Sequence, residues 1–308
     1  MMREFALRTP VVFMVFNRPH STQQVFNEIR KVRPRQLLVI ADAPRTNRPD
    51  DVEKCAATRA IIERVDWDCE VLKNYADINL GCGKRVASGL DWAFTIVEEA
   101  IILEDDCLPH LTFFQFCQEL LERYRDDGRV MSISGDNFQY GRRRTDNSYY
   151  FSRFTQIWGW ATWRKVWQKY YDFYMKLWPE VRDNHWLFDV FASIQVDFLE
   201  KKAQCTVNGG QSAVQYWYRA FEDTYNGKID TWDYQLFFSC LLQSGLHILP
   251  NVNLVSNIGF GSEATHTRCV NHFANVPVMN MDFPLKHPSC MIRDVWADEY
   301  LQMLNFKS

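Results

Sequence analysis

The chain reads as an α/β protein organised on a mostly parallel sheet, and three observations carry that reading. Short apolar, β-branched runs recur through the first half, helical patterns separate them, and polar or acidic residues close most of the runs. Runs of this length bounded by turn residues are buried strands. Strands that alternate with helices make parallel sheets through right-handed crossovers.

The elements follow in order. Residues 11–16 form a strand and 22–31 a helix, after Pro19 and the capping residue Ser21. A second strand, 36–41, ends at Asp42-Ala43-Pro44-Arg45 and leads to a helix over 51–64. A third strand over 69–73 and a helix over 84–97 precede a fourth strand, 100–103. A helix over 109–124 puts Phe113, Phe114, Phe116, Leu120 and Leu121 on its apolar side, and 130–134 is a fifth strand. The second half is less regular and rich in aromatic residues. It offers helices over 189–201 and from Asp230 to Leu242, strands over 246–249 and 254–258, and a last helix over about 293–304. No repeat, low-complexity tract or linker divides the chain, so one continuous domain over 1–308 is expected.

Composition narrows the function. At 47% hydrophobic and 24% charged residues, the chain has the balance of a folded soluble protein. A net charge of −3 argues against bulk nucleic-acid binding. The basic runs around Arg30 and over Arg142-Arg143-Arg144 read as solvated faces. Nine cysteines, an odd number with no C-x-x-C pair, suggest neither zinc nor a disulfide framework and point to a reducing, cytoplasmic compartment. No segment has the length of a membrane span, which leaves peripheral attachment to the inner face of a membrane open. The 15% aromatic content leans toward carbohydrate, because a flat ring covers the apolar face of a sugar; an aromatic core explains it equally.

The chemistry concentrates at Glu104-Asp105-Asp106, directly after the fourth strand. Open α/β sheets place their ligand crevice at the carboxyl ends of strands. Adjacent acids repel unless a cation offsets them, and Mg²⁺ or Mn²⁺ bound to a diphosphate would do so. A solvated acidic turn is the plain alternative. There is no G-x-G-x-x-G, and Gly81-Cys82-Gly83-Lys84 departs from the phosphate-loop pattern.

Asn17-Arg18-Pro19, Asp42-Ala43-Pro44-Arg45, Asn79-Leu80-Gly81-Cys82, Ile102 to Asp106, Trp158-Gly159-Trp160 and Asp230-Thr231-Trp232-Asp233 occur in the order found in GT-A-fold glycosyltransferases. Over roughly residues 10–266 the chain resembles bacterial family-2-like nucleotide-sugar transferases. It is more distantly similar to the N-acetylglucosaminyltransferase that starts hybrid N-glycans. The resemblance implies a GT-A-like three-layer α/β/α domain: a nucleotide-binding half (1–136), an acceptor and catalytic half (137–268) and a C-terminal extension (269–308).

It also implies roles. Asp106 would bind the metal, Mn²⁺ or Mg²⁺, with Asp105 facing the ribose or a metal-bound water and Glu104 behind them. Arg18 would meet the phosphates, and Asp42 the imide N–H of uracil, although Asp42 also suits a plain turn cap. Asn79, Gly81, Lys84 and Arg85 would line the nucleotide and diphosphate, with the glycines letting backbone approach the ligand. Trp158 and Trp160 would build the sugar and acceptor side. His266 is a metal ligand in one reading and an ordinary loop histidine in the other. Asp233 matches the carboxylate that deprotonates the acceptor, with Asp230 as the N-cap of the same helix. The donor would be a nucleoside-diphosphate sugar, and the acceptor a glycan, a lipid-linked sugar or a protein. Two other readings stay open: a nucleotidyltransferase that makes an activated sugar, and a non-catalytic carbohydrate-binding module.

Overall fold

The computed structural model describes residues 5–192, 213–260 and 273–305. In chain order the elements are β1 (Val11–Val15), α1 (Pro19–Val32), β2 (Gln36–Ala41), α2 (Asp50–Ile62), β3 (Glu70–Tyr75), α3 (Gly81–Ile96), β4 (Glu99–Glu104), β5 (Cys107–Pro109), α4 (Leu111–Tyr124) and β6 (Val130–Ser134). They continue with β7 (Tyr149–Ser152), β8 (Trp160–Trp163), α5 (Arg164–Tyr170), α6 (Trp178–Asp183), α7 (Trp186–Ala192), α8 (Ala213–Tyr225), α9 (Asp233–Leu242), β9 (Leu246–Pro250), β10 (Val255–Asn257) and α10 (Val295–Asn305).

Eight strands form one sheet in the order β3-β2-β1-β4-β8-β6-β9-β7. The first four are mutually parallel, β8 and β7 run against their neighbours, and β6 pairs in parallel with β9. The sheet is therefore mostly parallel, with helices around it. β1 is buried along its whole length, as its unbroken apolar run requires of a central strand. α4 buries Phe113, Phe114, Phe116, Leu120 and Leu121, the side its sequence marked as apolar.

Several expectations shift; α1 begins at Pro19, so Ser21 lies inside the helix and does not cap it. The strand-to-helix step at 107–111 contains β5, which pairs antiparallel with β10, so α4 begins at Leu111 rather than at residue 109. The helix expected over 189–201 starts earlier, at Trp186, and the part beyond Ala192 lies outside the described residues. A second cluster, with Phe154, Trp178, Trp217, Phe221 and Phe237, takes up many of the aromatic residues of the second half. None of the described helices is long and apolar enough to cross a membrane.

Candidate functional site

The carboxyl ends of β1, β2 and β4, the start of α3 and the start of α9 surround a cavity of about 570 Å³. Arg18, Asp42, Asn79, Gly81, Arg85, Glu104, Asp105, Asp106, Trp158 and Asp233 all line it. Parallel strands leave their carboxyl ends on one edge, so residues far apart in sequence gather there without special loops.

The acids meet Arg18 at the floor. Its guanidinium donates to Asp105 Oδ1 at 2.5 Å and to Asp106 Oδ2 at 2.6 Å. The Arg18 side chain is 18% exposed and that of Asp105 only 2%. Among the described residues, Arg18 is thus the cation hydrogen-bonded to the triplet. Asp105 also accepts from Phe16 N at 3.0 Å. Burial, then the neighbouring Asp106, pushes the Glu104 carboxyl up to about 8 despite Arg18. Asp105 is also raised, by burial, with Arg18 opposing. Gly259 closes this floor, since a Cβ there would stand 2.0 Å from Asp106 Oδ2.

At the nucleotide-loop side, Asp42 is buried and already fully engaged. It accepts from Ala43 N, Leu80 N, Gly81 N and Asn79 Nδ2 at 2.9–3.1 Å. It fastens the 79–81 loop to the end of β2, so a uracil N–H would have to displace one of these donors. Asn79 spends Nδ2 on Asp42 and Ala43 O, leaving Oδ1 without a partner among the described residues. Arg85 is buried and donates to both Asn74 oxygens at 2.5–2.6 Å, while its Nε finds no partner among the described residues. Lys84 is exposed on α3 and does not reach the cavity wall: the first turn of the helix points it to solvent.

Trp160 also departs from expectation. It sits on β8 with 1% exposure and stacks on Trp232, ring centroids 5.6 Å apart, which makes it a core residue behind the site. Trp158 precedes β8, and Gly159 between the two takes a positive φ of 69°, so the strand's alternation does not extend to Trp158, which lines the cavity. Phe138, Phe260 and Phe273 surround Trp158 at centroid distances of 5.5, 5.6 and 6.3 Å. His266 lies outside the described residues.

Asp233 is the first residue of α9. Its Oδ1 accepts from Thr231 Oγ1 and from Tyr234 N, and its Oδ2 has no partner among the described residues. Asp230 does not cap α9 as expected. Its carboxylate crosses to α3 and accepts from Cys82 N at 3.0 Å and Gly83 N at 2.9 Å.

No family model and no curated protein matches this chain. Solved structures do. UDP-glucose pyrophosphorylase complexed with UDP-glucose is 13% identical, over 47% of this chain and 62% of its own, with a TM-score of 0.27. HddC from Yersinia pseudotuberculosis is 10% identical, over 53% and 80%, with a TM-score of 0.32. The 4-diphosphocytidyl-2C-methyl-D-erythritol synthase from Anaerococcus prevotii is 10% identical, over 60% and 84%, with a TM-score of 0.33. The chain thus spans under two thirds of the pyrophosphorylase.

Several lining residues escaped the sequence reading: Phe16, Arg45, Tyr234, Asn257 and Phe260. Arg45 stands over the Phe16 ring at 5.4 Å and pairs with buried Asp51 at 2.6 Å. Behind the wall, Asp136 accepts from Trp158 N at 3.1 Å while its Oδ1 is buried without a partner among the described residues, and burial pushes its carboxyl well up. An acid two residues after the strand 130–134 was the available signal for it.

The residues present fit a divalent ion in one way only. Among the described residues no group of three or more His, Cys, Asp or Glu could hold one. Asp106 Oδ1 receives only the Cys107 thiol, at 3.6 Å, and the Glu104 carboxylate has no hydrogen-bond partner among them. These are hard oxygen donors of the kind Mg²⁺ accepts when substrate phosphates complete its shell.

Proposed function

We propose that this chain is an inverting glycosyltransferase that takes a sugar from a nucleoside-diphosphate donor, a UDP-sugar first among them, to a hydroxyl of a glycan, lipid-linked or protein acceptor. The observation that carries the reading is Asp233: a carboxylate, one oxygen of which has no partner among the described residues, that lines the same cavity as the acid triplet. A transferase needs both, one end for the departing diphosphate and the other for the acceptor proton.

Asp106, with Glu104, would hold Mg²⁺ or Mn²⁺. The ion, when bound, offsets the charge that develops on the leaving diphosphate. The chain's own residues do the rest. Asn79 Oδ1, without a partner among the described residues, would accept the imide N–H of a uracil. Trp158, backed by its three phenylalanines, offers an aromatic face to a sugar. Asp233 Oδ2 takes the acceptor proton as the acceptor oxygen bonds to the anomeric carbon. The bond from that carbon to the diphosphate breaks, its electron pair leaves with the diphosphate, and the configuration inverts. Asp230, with both oxygens on backbone N–H groups, is the poorer base.

The β1–α1 connection favours this over nucleotidyl transfer. Only Phe16, Asn17 and Arg18 separate the two elements, where a nucleotidyltransferase would carry a Gly-rich basic loop. The test is donor turnover on a panel of nucleotide sugars with Mn²⁺, followed by Asp233→Asn. We expect the variant to keep the thermal shift produced by UDP and to lose roughly 10²–10⁴ in rate. Pyrophosphate release from a nucleoside triphosphate and a sugar 1-phosphate, without donor turnover, would replace the proposal with the nucleotidyltransferase reading.

A further inference from the structure

The first backbone N–H groups of a helix have no intrahelical acceptor and carry the positive end of its dipole. At α3 two carboxylates use them. Asp42, at the end of β2, accepts from Leu80 N and Gly81 N, and Asp230, just before α9, accepts from Cys82 N and Gly83 N. Four consecutive N–H groups are thus held by one acid from each half of the chain.

The second contact is shaped for its partner. A Cβ on Gly83 would stand 2.6 Å from Thr231 O and 2.8 Å from Asp230 Oδ1. One of these atoms is backbone, so the 230–231 segment would have to move. The glycines expected to admit a ligand here admit Asp230 and Thr231 instead. From this point the connection runs on to Asp233. Thr231 Oγ1 donates to Asp233 Oδ1, Gln235 Nε2 donates to Thr231 O at 2.8 Å, and Tyr171 Oη donates to Trp232 O at 3.3 Å.

We infer that Asp230 is a positioning residue: its carboxylate latches the start of α9 onto the N-terminus of α3 and so fixes where Asp233 stands in the cavity. The inference deepens the transferase reading, and its activity arm rests on that reading. Misplacing a base by about 1 Å costs on the order of 10² in rate, whereas a lost latch leaves the donor side of the cavity in place.

The test compares Asp230→Ala, Gly83→Ala and the double variant. One arm needs no substrate: the rate at which iodoacetamide alkylates Cys82, read by peptide mass spectrometry. Cys82 is half-buried against the latch, and burial pushes its thiol up, so it reacts slowly while the latch is shut. Each single variant should raise the alkylation rate about 3- to 30-fold, the range that loss of a cap corresponds to. The second arm is donor turnover, with kcat falling roughly 10²-fold while UDP affinity with Mn²⁺ stays within about threefold. The double variant should be no worse than the worse single one, because both cut the same link. Wild-type Cys82 reactivity in Asp230→Ala, UDP affinity falling as far as kcat, or effects that multiply would each overturn the inference. Should the wild-type protein turn over no donor, the transferase reading fails and the Cys82 arm still decides the latch.

Discussion

Among the described residues, Arg18 is the cation bonded to the acid triplet, and its removal is the most quantitative test of the site. Arg18→Met keeps a long side chain and deletes the charge. Two charge-assisted hydrogen bonds, at 2.5 and 2.6 Å, disappear. Asp105 then keeps Phe16 N, and Asp106 the weak Cys107 thiol. With Arg18 only 18% exposed and Asp105 2%, solvent screening offsets little of the loss. Breaking such a buried pair from one side costs about 3–5 kcal/mol. At roughly 2–3 °C per kcal/mol for a chain of this size, the melting temperature should fall by about 6–15 °C. Arg18→Lys, a point charge able to satisfy one carboxylate well, should lose about half as much. Thermal unfolding in chelator-treated buffer at neutral pH measures the loss. Added Mg²⁺ should then restore the Met variant by more than it stabilises the wild type, because the ion replaces the missing cation. A Met variant that melts within about 1 °C of wild type without metal would refute the reasoning, since Arg18 would then carry no net stabilisation of the acids.

Two further outcomes follow from the packing. Trp160→Ala should cost about 3–5 kcal/mol by urea unfolding, as for a fully buried aromatic residue, while Trp158→Ala should cost less and lower donor turnover more; the reverse order would make Trp158 the core residue. Burial pushes the Asp298 carboxyl up to about 6, with the Ser152 hydroxyl and Arg293 opposing. A folded acid above its unfolded value of 3.8 holds its proton more tightly when folded, so stability falls as pH rises from about 4 through 6. Relative to Asp298→Asn, the wild type should lose about 3 kcal/mol over that window, and a stability difference that does not change with pH would contradict it.

The first half of the fold was legible because its order is local. Each strand from 11–16 to 130–134 is a compact apolar run beside a helical pattern, and periodicity reads such segments without knowledge of their neighbours. The structure moves their ends by only a few residues. β7 and β8 were not legible, being four residues each. An alternation of four positions rich in Tyr, Phe and Trp has no period to read. What makes β8 a strand is the slot between β4 and β6, where Ala161 faces Ile101 on one side and Ile133 on the other. β5 likewise exists only because β10 arrives antiparallel beside it.

The site divides along the same physical line. Sequence order placed Glu104, Asp105, Asp106, Asn79 and Asp233 around one cavity, because strand ends and helix starts converge wherever a parallel sheet forms. It did not give their partners. Asp42, a base reader by the resemblance, and Asp230, the cap of its own helix by local grammar, both accept from backbone N–H groups of the α3 start. Neither bond leaves a side-chain trace in the sequence, since its donors are peptide groups that every residue but proline carries. What does leave a trace is the space such a bond requires. Gly83 beneath Thr231 and Gly259 beneath Asp106 have no room for a Cβ. At Gly83 and Gly259, the glycines of a sheet-edge site point to the chain's own close contacts, made there by Asp230, Thr231 and Asp106. A glycine with no room for a Cβ beside an acid is the mark of the Asp230 contact, and a ligand-binding-loop pattern carries no such mark.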